Sequence, residues 1–172
     1  MTPIIYIDMD GVLADLHAGL KKRFNLGDEV IERTKLFKSY LPDYAADGGF
    51  QWQPVMPKAV ELVNYLLSLR KQGSVNIAIL TSAGQFHGKP DVTFQKAEWL
   101  KREFPELDGI PFCVTTSGAD KCFLAHPKAF LIDDWHKNVT HFVNAGGHGI
   151  VYEPERLHAT INAIVDFLHE AR

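Results

Sequence analysis

The feature that most constrains the fold is an apolar run near the start of the sequence that ends in two carboxylates and a glycine. Residues 4–7 are Ile-Ile-Tyr-Ile, and Asp8, Asp10 and Gly11 follow directly. A strand inside a parallel sheet is almost wholly apolar, so we expect Asp8 and Asp10 at the carboxyl end of a buried strand, where open α/β sheets bind ligands. Two neighbouring carboxylates repel each other, so a cation is predicted beside them.

Strand and helix patterns alternate through most of the chain that follows. Further strands are predicted at 75–80, 112–114, 130–132 and 149–152. Apolar residues recur at helical spacing over 13–24, 58–69, 91–104 and 157–168. This alternation predicts a parallel sheet with helices on both faces and right-handed crossovers, which is a doubly wound, Rossmann-like α/β fold.

One segment interrupts the alternation. Between Asp15 and Pro54 the apolar periodicity is unclear, and turn signals occur at 41–43 and 47–49. A chain of 172 residues suffices for one compact core and is too short for two large domains. We therefore predict a core domain of residues 1–15 and 54–172, with a small helical cap of residues 16–53 inserted after the first strand.

Composition and charge narrow the class of partner. The net charge of −3 and the pI near 6.2 provide no basic surplus for an extended nucleic-acid footprint, whereas a small anionic substrate remains open. No apolar run approaches membrane-spanning length and no leader pattern is recognisable, so we expect a cytoplasmic protein without a membrane partner. Cys113 and Cys122 lack metal-ligand spacing and are expected as free thiols. The sequence leaves association into a homo-oligomer open.

Polar clusters follow four of the predicted strands. Each cluster has an ordinary structural explanation, as a helix cap, a strand exit, a surface charge or a turn. Because the carboxyl ends of the strands in a doubly wound sheet meet at one edge, their joint placement predicts a shared site instead. The clusters are Asp8 and Asp10, Thr81 and Ser82, Lys121, and Asp133 and Asp134.

These residue types suit phosphoryl transfer. That reaction needs an in-line nucleophile, positive charge around the phosphoryl oxygens and a proton donor for the leaving oxygen. We predict Asp8 as the nucleophile that forms an aspartyl-phosphate. Asp10 is predicted to protonate the leaving alcohol and then to accept a proton from the water that hydrolyses the intermediate. The predicted substrate is therefore a small phosphorylated molecule.

The same clusters predict where a metal ion and a phosphate bind. Mg²⁺ prefers an octahedral set of oxygens that includes one or two carboxylates, whereas the eight histidines show no zinc-ligand spacing. The predicted Mg²⁺-binding residues are Asp8, Asp10 through its backbone carbonyl, Asp133 and Asp134. The predicted phosphate-binding residues are Asp10, Gly11, Thr81, Ser82 and Lys121.

In these motifs the chain resembles the haloacid dehalogenase-like superfamily of aspartate-nucleophile phosphatases, whose motifs occur here in the same order. Within that superfamily it is most similar to the 5′(3′)-deoxyribonucleotidases. Two positions depart from the nucleotidase pattern, since Leu16 replaces an aromatic residue and Trp135 replaces a basic one. The segments that carry the resemblance are Asp8-Met-Asp-Gly-Val-Leu-Ala-Asp15, Pro54-Val-Met-Pro57-Lys-Ala59, Leu80-Thr-Ser82, Lys121 and Leu131-Ile-Asp-Asp134.

The resemblance implies a Mg²⁺-dependent monophosphatase that acts on (deoxy)nucleoside monophosphates. It also implies that Asp134 binds the metal directly and that Asp133 orients metal-bound water. The insertion between Asp15 and Pro54 corresponds to the family's cap, which closes over the phosphoryl site and supplies the nucleoside pocket.

Aromatic residues in the predicted cap divide into two groups. A small cap needs its own core, and we expect the first group to pack between helices: Phe24, Phe37 and Tyr40. Phe50 and Trp52 lie just before the return to the sheet and are, with Leu16, the candidates for the substrate pocket.

Other functions remain open for a chain with these motifs. The same chemistry would serve a phosphatase for sugar phosphates or for nucleic-acid 3′-phosphate ends. A phosphomutase would return the phosphoryl group to a substrate instead of to water. A phosphate-binding module would keep the fold without turnover, but the presence of Asp8, Asp10 and Lys121 favours an enzyme.

Overall fold

The described strands form one parallel sheet. The computed structural model of the chain describes residues 2–27, 35–84 and 91–171, without the side chains of residues 35–37. The strands β1 to β5 are Ile4–Ile7, Asn76–Ser82, Phe112–Thr115, Ala129–Asp133 and His148–Val151. Their order across the sheet is β3-β2-β1-β4-β5, and each neighbouring pair is parallel. The predicted doubly wound, Rossmann-like α/β fold is confirmed.

The α-helices of the described segments all follow β1 in the chain. In chain order, α1 to α6 are Leu16–Phe24, Lys35–Ala46, Ala59–Lys71, Val92–Glu103, His136–Asn144 and Leu157–Glu170. The sequence pattern does not predict α5, because Val139 and Phe142 are its buried residues and leave too short an apolar stripe. The predicted turn at 41–43 is wrong, because Pro42 lies inside α2. Packing of the buried Tyr44 and Ala45 outweighs the hydrogen bond that a proline cannot donate.

Strand β1 places alternate side chains on opposite faces of the sheet. Ile5 and Ile7 are fully buried in a cluster that includes residues of α3, α4 and α6. Tyr6 lies on the other face, where its ring contacts that of Phe142 in α5 at a centroid distance of 6.1 Å. Because both faces of β1 are covered, a charged side chain fits only beyond Ile7. The apolar run therefore has to end where Asp8 begins.

Residues 16–24 and 40–50 contribute a smaller apolar cluster above the carboxyl edge of the sheet. Tyr44 and Phe50 pack edge to face at 5.3 Å, and Phe24 lies 5.1 Å from the ring of Tyr40. The predicted packing roles of Phe24 and Tyr40 are confirmed, whereas the side chain of Phe37 lies outside the described residues. Val92 of α4 belongs to the same cluster. The division into a core of residues 1–15 and 54–172 and a cap of 16–53 stays a prediction.

Two sequence expectations concern the chain as a whole. Cys113 and Cys122 are both free thiols, as predicted. Across residues 2–27, 35–84 and 91–171, none of the helices combines the length and the apolar character that crossing a bilayer requires.

Candidate active site

The predicted polar clusters converge at the carboxyl edge of the sheet. Strands β2 and β4 both pair with β1, and Ile7 at the end of β1 is in register with Ile79 and Ile132. The residues that follow these strands therefore meet around one cavity of about 310 Å³. Among the residues that line it are Asp8, Asp10, Thr81, Ser82, Lys121 and Asp134.

Asp8 is held by one of its two carboxylate oxygens. Its Oδ1 accepts the backbone N–H of Met9 at 2.7 Å and lies 2.8 Å from the Lys121 Nζ. Both contacts involve Oδ1, so Oδ2 has no donor among the described residues and is available to a ligand in the cavity. The residue is 6% exposed, and little water therefore competes for this oxygen.

Lys121 is a buried cation between two carboxylates. Its side chain is 1% exposed, and its Nζ lies 2.6 Å from Asp133 Oδ2 as well as 2.8 Å from Asp8 Oδ1. Burial alone would lower the pKa of Lys121, but the charges of Asp8 and Asp133 and their hydrogen bonds raise it above the ordinary value. The side chain therefore stays a charged ammonium at neutral pH.

Asp133 uses both of its oxygens to support the surrounding residues. Its Oδ1 accepts the Trp135 N–H at 2.9 Å and the Asn138 Nδ2 at 3.0 Å, while Oδ2 accepts the Lys121 ammonium. Burial, and then the charge of Asp8, raise the pKa of Asp133, and Lys121 and the Trp135 N–H oppose this effect. Asp133 is thus committed to protein contacts on both sides of its carboxylate.

The donor set of this cluster fits a hard divalent cation. Carboxylate oxygens of Asp8, Asp133 and Asp134 all lie within 4.8 Å of one another. Two of these three carboxylates, those of Asp8 and Asp133, are paired with Lys121. Carboxylate oxygens in this number and at this spacing suit Mg²⁺.

Gly11 makes room for Asp134. Its φ of 84° lies in the region that favours glycine, and a Cβ at this position would overlap the Asp134 carboxylate. The backbone N–H of Gly11 donates to the Ala14 carbonyl at 2.8 Å, so this N–H is engaged in the turn. The contacts of Gly11 thus concern the turn and the acidic cluster, and its predicted role in phosphate binding stays a prediction.

The sequence reasoning missed Lys96, which lies beside Asp10. This side chain is 1% exposed, and its Nζ contacts Asp10 Oδ2 at 2.6 Å, Thr81 Oγ1 at 2.9 Å and the Ser82 carbonyl at 2.8 Å. The other oxygen of Asp10, Oδ1, accepts the Gln53 Nε2 at 3.2 Å. The carboxylate of Asp10 is therefore held from two sides, by a lysine and by an amide.

Helix α4 places Lys96 beside Asp10, on a buried helix face that contains other polar residues. Val92, Gln95, Lys96 and Trp99 are spaced three and four residues apart, and each is less than 9% exposed. Gln95 Nε2 donates to the Ala45 carbonyl at 2.9 Å, and Trp99 Nε1 donates to the Gln53 carbonyl at 2.8 Å. The sequence signal for Lys96 is thus its position inside the apolar stripe of an amphipathic helix.

The substrate-pocket candidates separate in the structure. Leu16 and Phe50 line the cavity around Asp8, and so does Trp135. Trp52 is 66% exposed and lines a separate depression of about 340 Å³. The Arg102 guanidinium lies 4.7 Å from the centre of the Trp52 ring. The geometry therefore brings Leu16 and Phe50 to the site and leaves Trp52 outside it.

Comparison with known proteins identifies the fold. No family model and no curated protein matches the sequence. A hydrolase from Streptococcus pneumoniae TIGR4 is similar in structure, with a TM-score of 0.57 and 11% identity over 94% of this chain and 100% of that chain. An L-2-haloacid dehalogenase from Xanthobacter autotrophicus, with chloropropionic acid covalently bound, has a TM-score of 0.55 and 13% identity over 87% and 76% of the two chains.

A third similar structure is a mutant HAD-family enzyme from Bacteroides thetaiotaomicron in complex with magnesium and inorganic phosphate. Its TM-score is 0.54, with 12% identity over 90% of this chain and 95% of that chain. The chain thus has the fold of HAD-superfamily hydrolases.

Proposed function

We propose that this protein is a Mg²⁺-dependent phosphomonoesterase that hydrolyses small phosphate monoesters through an aspartyl-phosphate. The observation that carries the proposal is the position of Asp8 in the cavity, with one carboxylate oxygen held by Lys121 and the other available to a ligand. A structural neighbour with the same fold holds magnesium and inorganic phosphate, which supports this class of chemistry.

In the first step, an oxygen of Asp8 attacks phosphorus and the bond between phosphorus and the leaving oxygen breaks. Asp10 enters this step as the neutral acid and donates its proton to that oxygen, so the product leaves as a neutral alcohol; the second step restores this proton. In the second step, water attacks the phosphorus of the aspartyl-phosphate while Asp10 accepts a proton from it. Inorganic phosphate leaves and the Asp8 carboxylate is restored.

Positive charge and hydroxyl donors at the cavity floor would hold the phosphoryl oxygens. Lys121 uses two of its three ammonium donors for Asp8 and Asp133. Among the contacts of the described residues, the third donor is left for a phosphate oxygen. Thr81 and Ser82 line the same floor at the end of β2. These residues would compensate charge that develops on the equatorial oxygens.

The ligands of Mg²⁺ would be Asp8, Asp134 and the backbone carbonyl of Asp10. Asp133 would support these ligands without binding the ion itself. Its own oxygens are engaged by Lys121, Trp135 and Asn138. When bound, Mg²⁺ supplies positive charge that offsets the negative charge of the phosphoryl group and of the carboxylates.

For the leaving group we propose a nucleoside, so that the preferred substrates are (deoxy)nucleoside monophosphates. The wall of the cavity above the polar floor includes Leu16, Leu41, Phe50 and Trp135. Aromatic faces next to a phosphate site suit a nucleobase, because every base stacks on an aromatic ring. A sugar phosphate would use less of this apolar wall.

Hydrolysis assays test the proposal and its substrate class. Wild-type protein with Mg²⁺ is expected to release phosphate fastest from nucleoside monophosphates in a panel that also contains sugar phosphates and 3′-phosphorylated oligonucleotides. Asp8→Asn is expected to lower kcat by roughly 10³-fold or more, because the amide is a poor nucleophile. Equal rates across the panel would overturn the nucleotide proposal, and an Asp8→Asn variant with the wild-type rate would overturn the nucleophile.

A thermal-shift experiment tests the metal site without relying on activity. Mg²⁺ binds the folded state, so it is expected to raise the Tm of the wild-type protein. Asp134→Asn is expected to remove most of this rise, because it removes a proposed carboxylate ligand. Asp10→Asn is the matched control, since its backbone carbonyl remains and the rise in Tm should persist. An unchanged rise in Asp134→Asn would contradict the assignment.

A further inference from the structure

Lys96 is a fully buried cation for which the proposed reaction has no role so far. Its three contacts are with Asp10 Oδ2 at 2.6 Å, Thr81 Oγ1 at 2.9 Å and the Ser82 carbonyl at 2.8 Å. An ammonium group has three donors and no acceptor. Lys96 has thus used every donor on protein atoms, and in this arrangement it has none left for a phosphate oxygen.

The contact with Thr81 sets the direction in which its hydroxyl can donate. Because the ammonium of Lys96 can only donate, the Thr81 oxygen is the acceptor in this hydrogen bond. The hydroxyl proton of Thr81 therefore points away from Lys96. Thr81 lines the cavity, so this proton is available to an anionic oxygen bound there.

The contact with Asp10 sets the orientation of its carboxylate. Lys96 holds Oδ2, and the Nε2 of Gln53 holds Oδ1 at 3.2 Å. Gln53 is 3% exposed, and its Oε1 is buried without a hydrogen-bond partner among the described residues. A buried amide oxygen without a hydrogen-bond partner is unfavourable. The orientation of the Gln53 amide thus provides the hydrogen bond to Asp10 at the cost of leaving its own oxygen unpaired.

We propose that Lys96 is a positioning residue that fixes the carboxylate of Asp10 and the hydroxyl of Thr81 for the reaction. This inference rests on the proposed phosphomonoesterase function, in which Asp10 transfers the proton and Thr81 binds a phosphoryl oxygen. It assigns different tasks to the two buried lysines. Lys121 contacts the nucleophile and has a donor for phosphate, whereas Lys96 acts through its neighbours.

A leaving-group series separates this role from a merely structural one. Alkyl phosphates need a proton donor for the leaving oxygen, whereas dinitrophenyl phosphate has a leaving group that departs without one. Lys96→Met is expected to lower kcat by roughly 100-fold with an alkyl phosphate and by less than about tenfold with dinitrophenyl phosphate, because misplacing a general acid affects the first substrate most. Lys101→Met, in which an exposed lysine of the same helix is changed, should match wild type with both substrates.

A double variant tests whether Lys96 acts through Asp10. If it does, adding Lys96→Met to Asp10→Asn should lower the alkyl phosphatase rate by less than about threefold, since the carboxylate that Lys96 positions is already absent. Fully multiplied losses in the double variant, or equal losses with both leaving groups, would overturn the proposal. In either case an active wild type with an inactive Asp8→Asn would leave the phosphatase function standing. A wild type that hydrolyses no phosphate monoester would overturn both.

Gln53→Met is a second test of the proposal, to be used if the Lys96→Met variant does not fold. This variant removes the amide donor to Asp10 Oδ1 and leaves the lysine in place. The same dependence on the leaving group is expected, with a smaller loss of about tenfold for the alkyl phosphate. A loss that is equal for the two leaving groups would overturn the positioning role of the residues around Asp10.

Discussion

The carboxyl edge of the sheet and the buried face of α4 each place a lysine of 1% exposure next to a catalytic candidate. At the sheet edge, Lys121 pairs with Asp8 and Asp133, whose side chains are 8% and 0% exposed. On α4, Lys96 pairs with Asp10, whose side chain is 23% exposed. Lys121 therefore balances charge that water does not reach, whereas Lys96 orients a carboxylate that water still contacts in part.

The two lysines also differ in the kind of element that carries them. Lys121 and its partners Asp8 and Asp133 all follow predicted strands. Lys96 and Asp10 are 86 residues apart, and Lys96 lies on a helix flanking the sheet. A polar residue at a strand end indicates a possible site, because the carboxyl ends of parallel strands lie together at one edge of the sheet. A polar residue on a helix face does not indicate a site in the same way, because its neighbours depend on how the helix packs.

The sharpest test of this comparison is the cost of removing each lysine. Lys121→Met is expected to lower the free energy of unfolding by about 3–5 kcal/mol, because two buried carboxylates lose their cation. Lys96→Met is expected to cost about 1–3 kcal/mol, because Asp10 keeps partial contact with water. Urea unfolding of both variants measures the two losses of stability. A larger loss for Lys96→Met than for Lys121→Met would contradict this prediction.

A second test concerns the geometry of the sheet edge. Gly11→Ala is expected to lower the free energy of unfolding by about 2–3 kcal/mol, because alanine is strained at this positive φ and its Cβ overlaps the Asp134 carboxylate. Gly48→Ala is the matched control, with a φ of 74° and open space around the position. It is expected to cost about 1 kcal/mol from backbone strain alone. Equal costs in chemical denaturation would show that Asp134 does not constrain Gly11.

The smallest effect is expected on the α4 side. Trp99→Phe removes the indole N–H that donates to the Gln53 carbonyl and is expected to lower the free energy of unfolding by about 1 kcal/mol. Trp52→Phe, at an indole that is 66% exposed, should stay within about 0.5 kcal/mol of wild type. If urea unfolding gives the two variants the same stability, the hydrogen bond to Gln53 contributes nothing measurable.

The sheet could be predicted from the sequence because its signals are local. Each strand is a short apolar segment, and the five observed strands overlap the predicted ones. The pattern failed where local preference and packing disagree. Pro42 favours a turn, but the aromatic cluster of Tyr44 and Phe50 holds its segment in α2. Helix α5 has too few apolar positions to be recognised, since the small sheet face that it covers needs little more than Phe142.

The sequence by itself determined the residues of the sheet edge, because parallel strands have to bring Asp8, Thr81, Lys121 and Asp133 to the same side of the molecule. Tertiary structure alone decided which side chains surround Asp10. Lys96 and Gln53 reach that carboxylate from a flanking helix and from the segment before α3, and Trp52 turns away from the cavity. These contacts join residues 43 and 86 positions apart, and their formation depends on the packing of helices against the sheet.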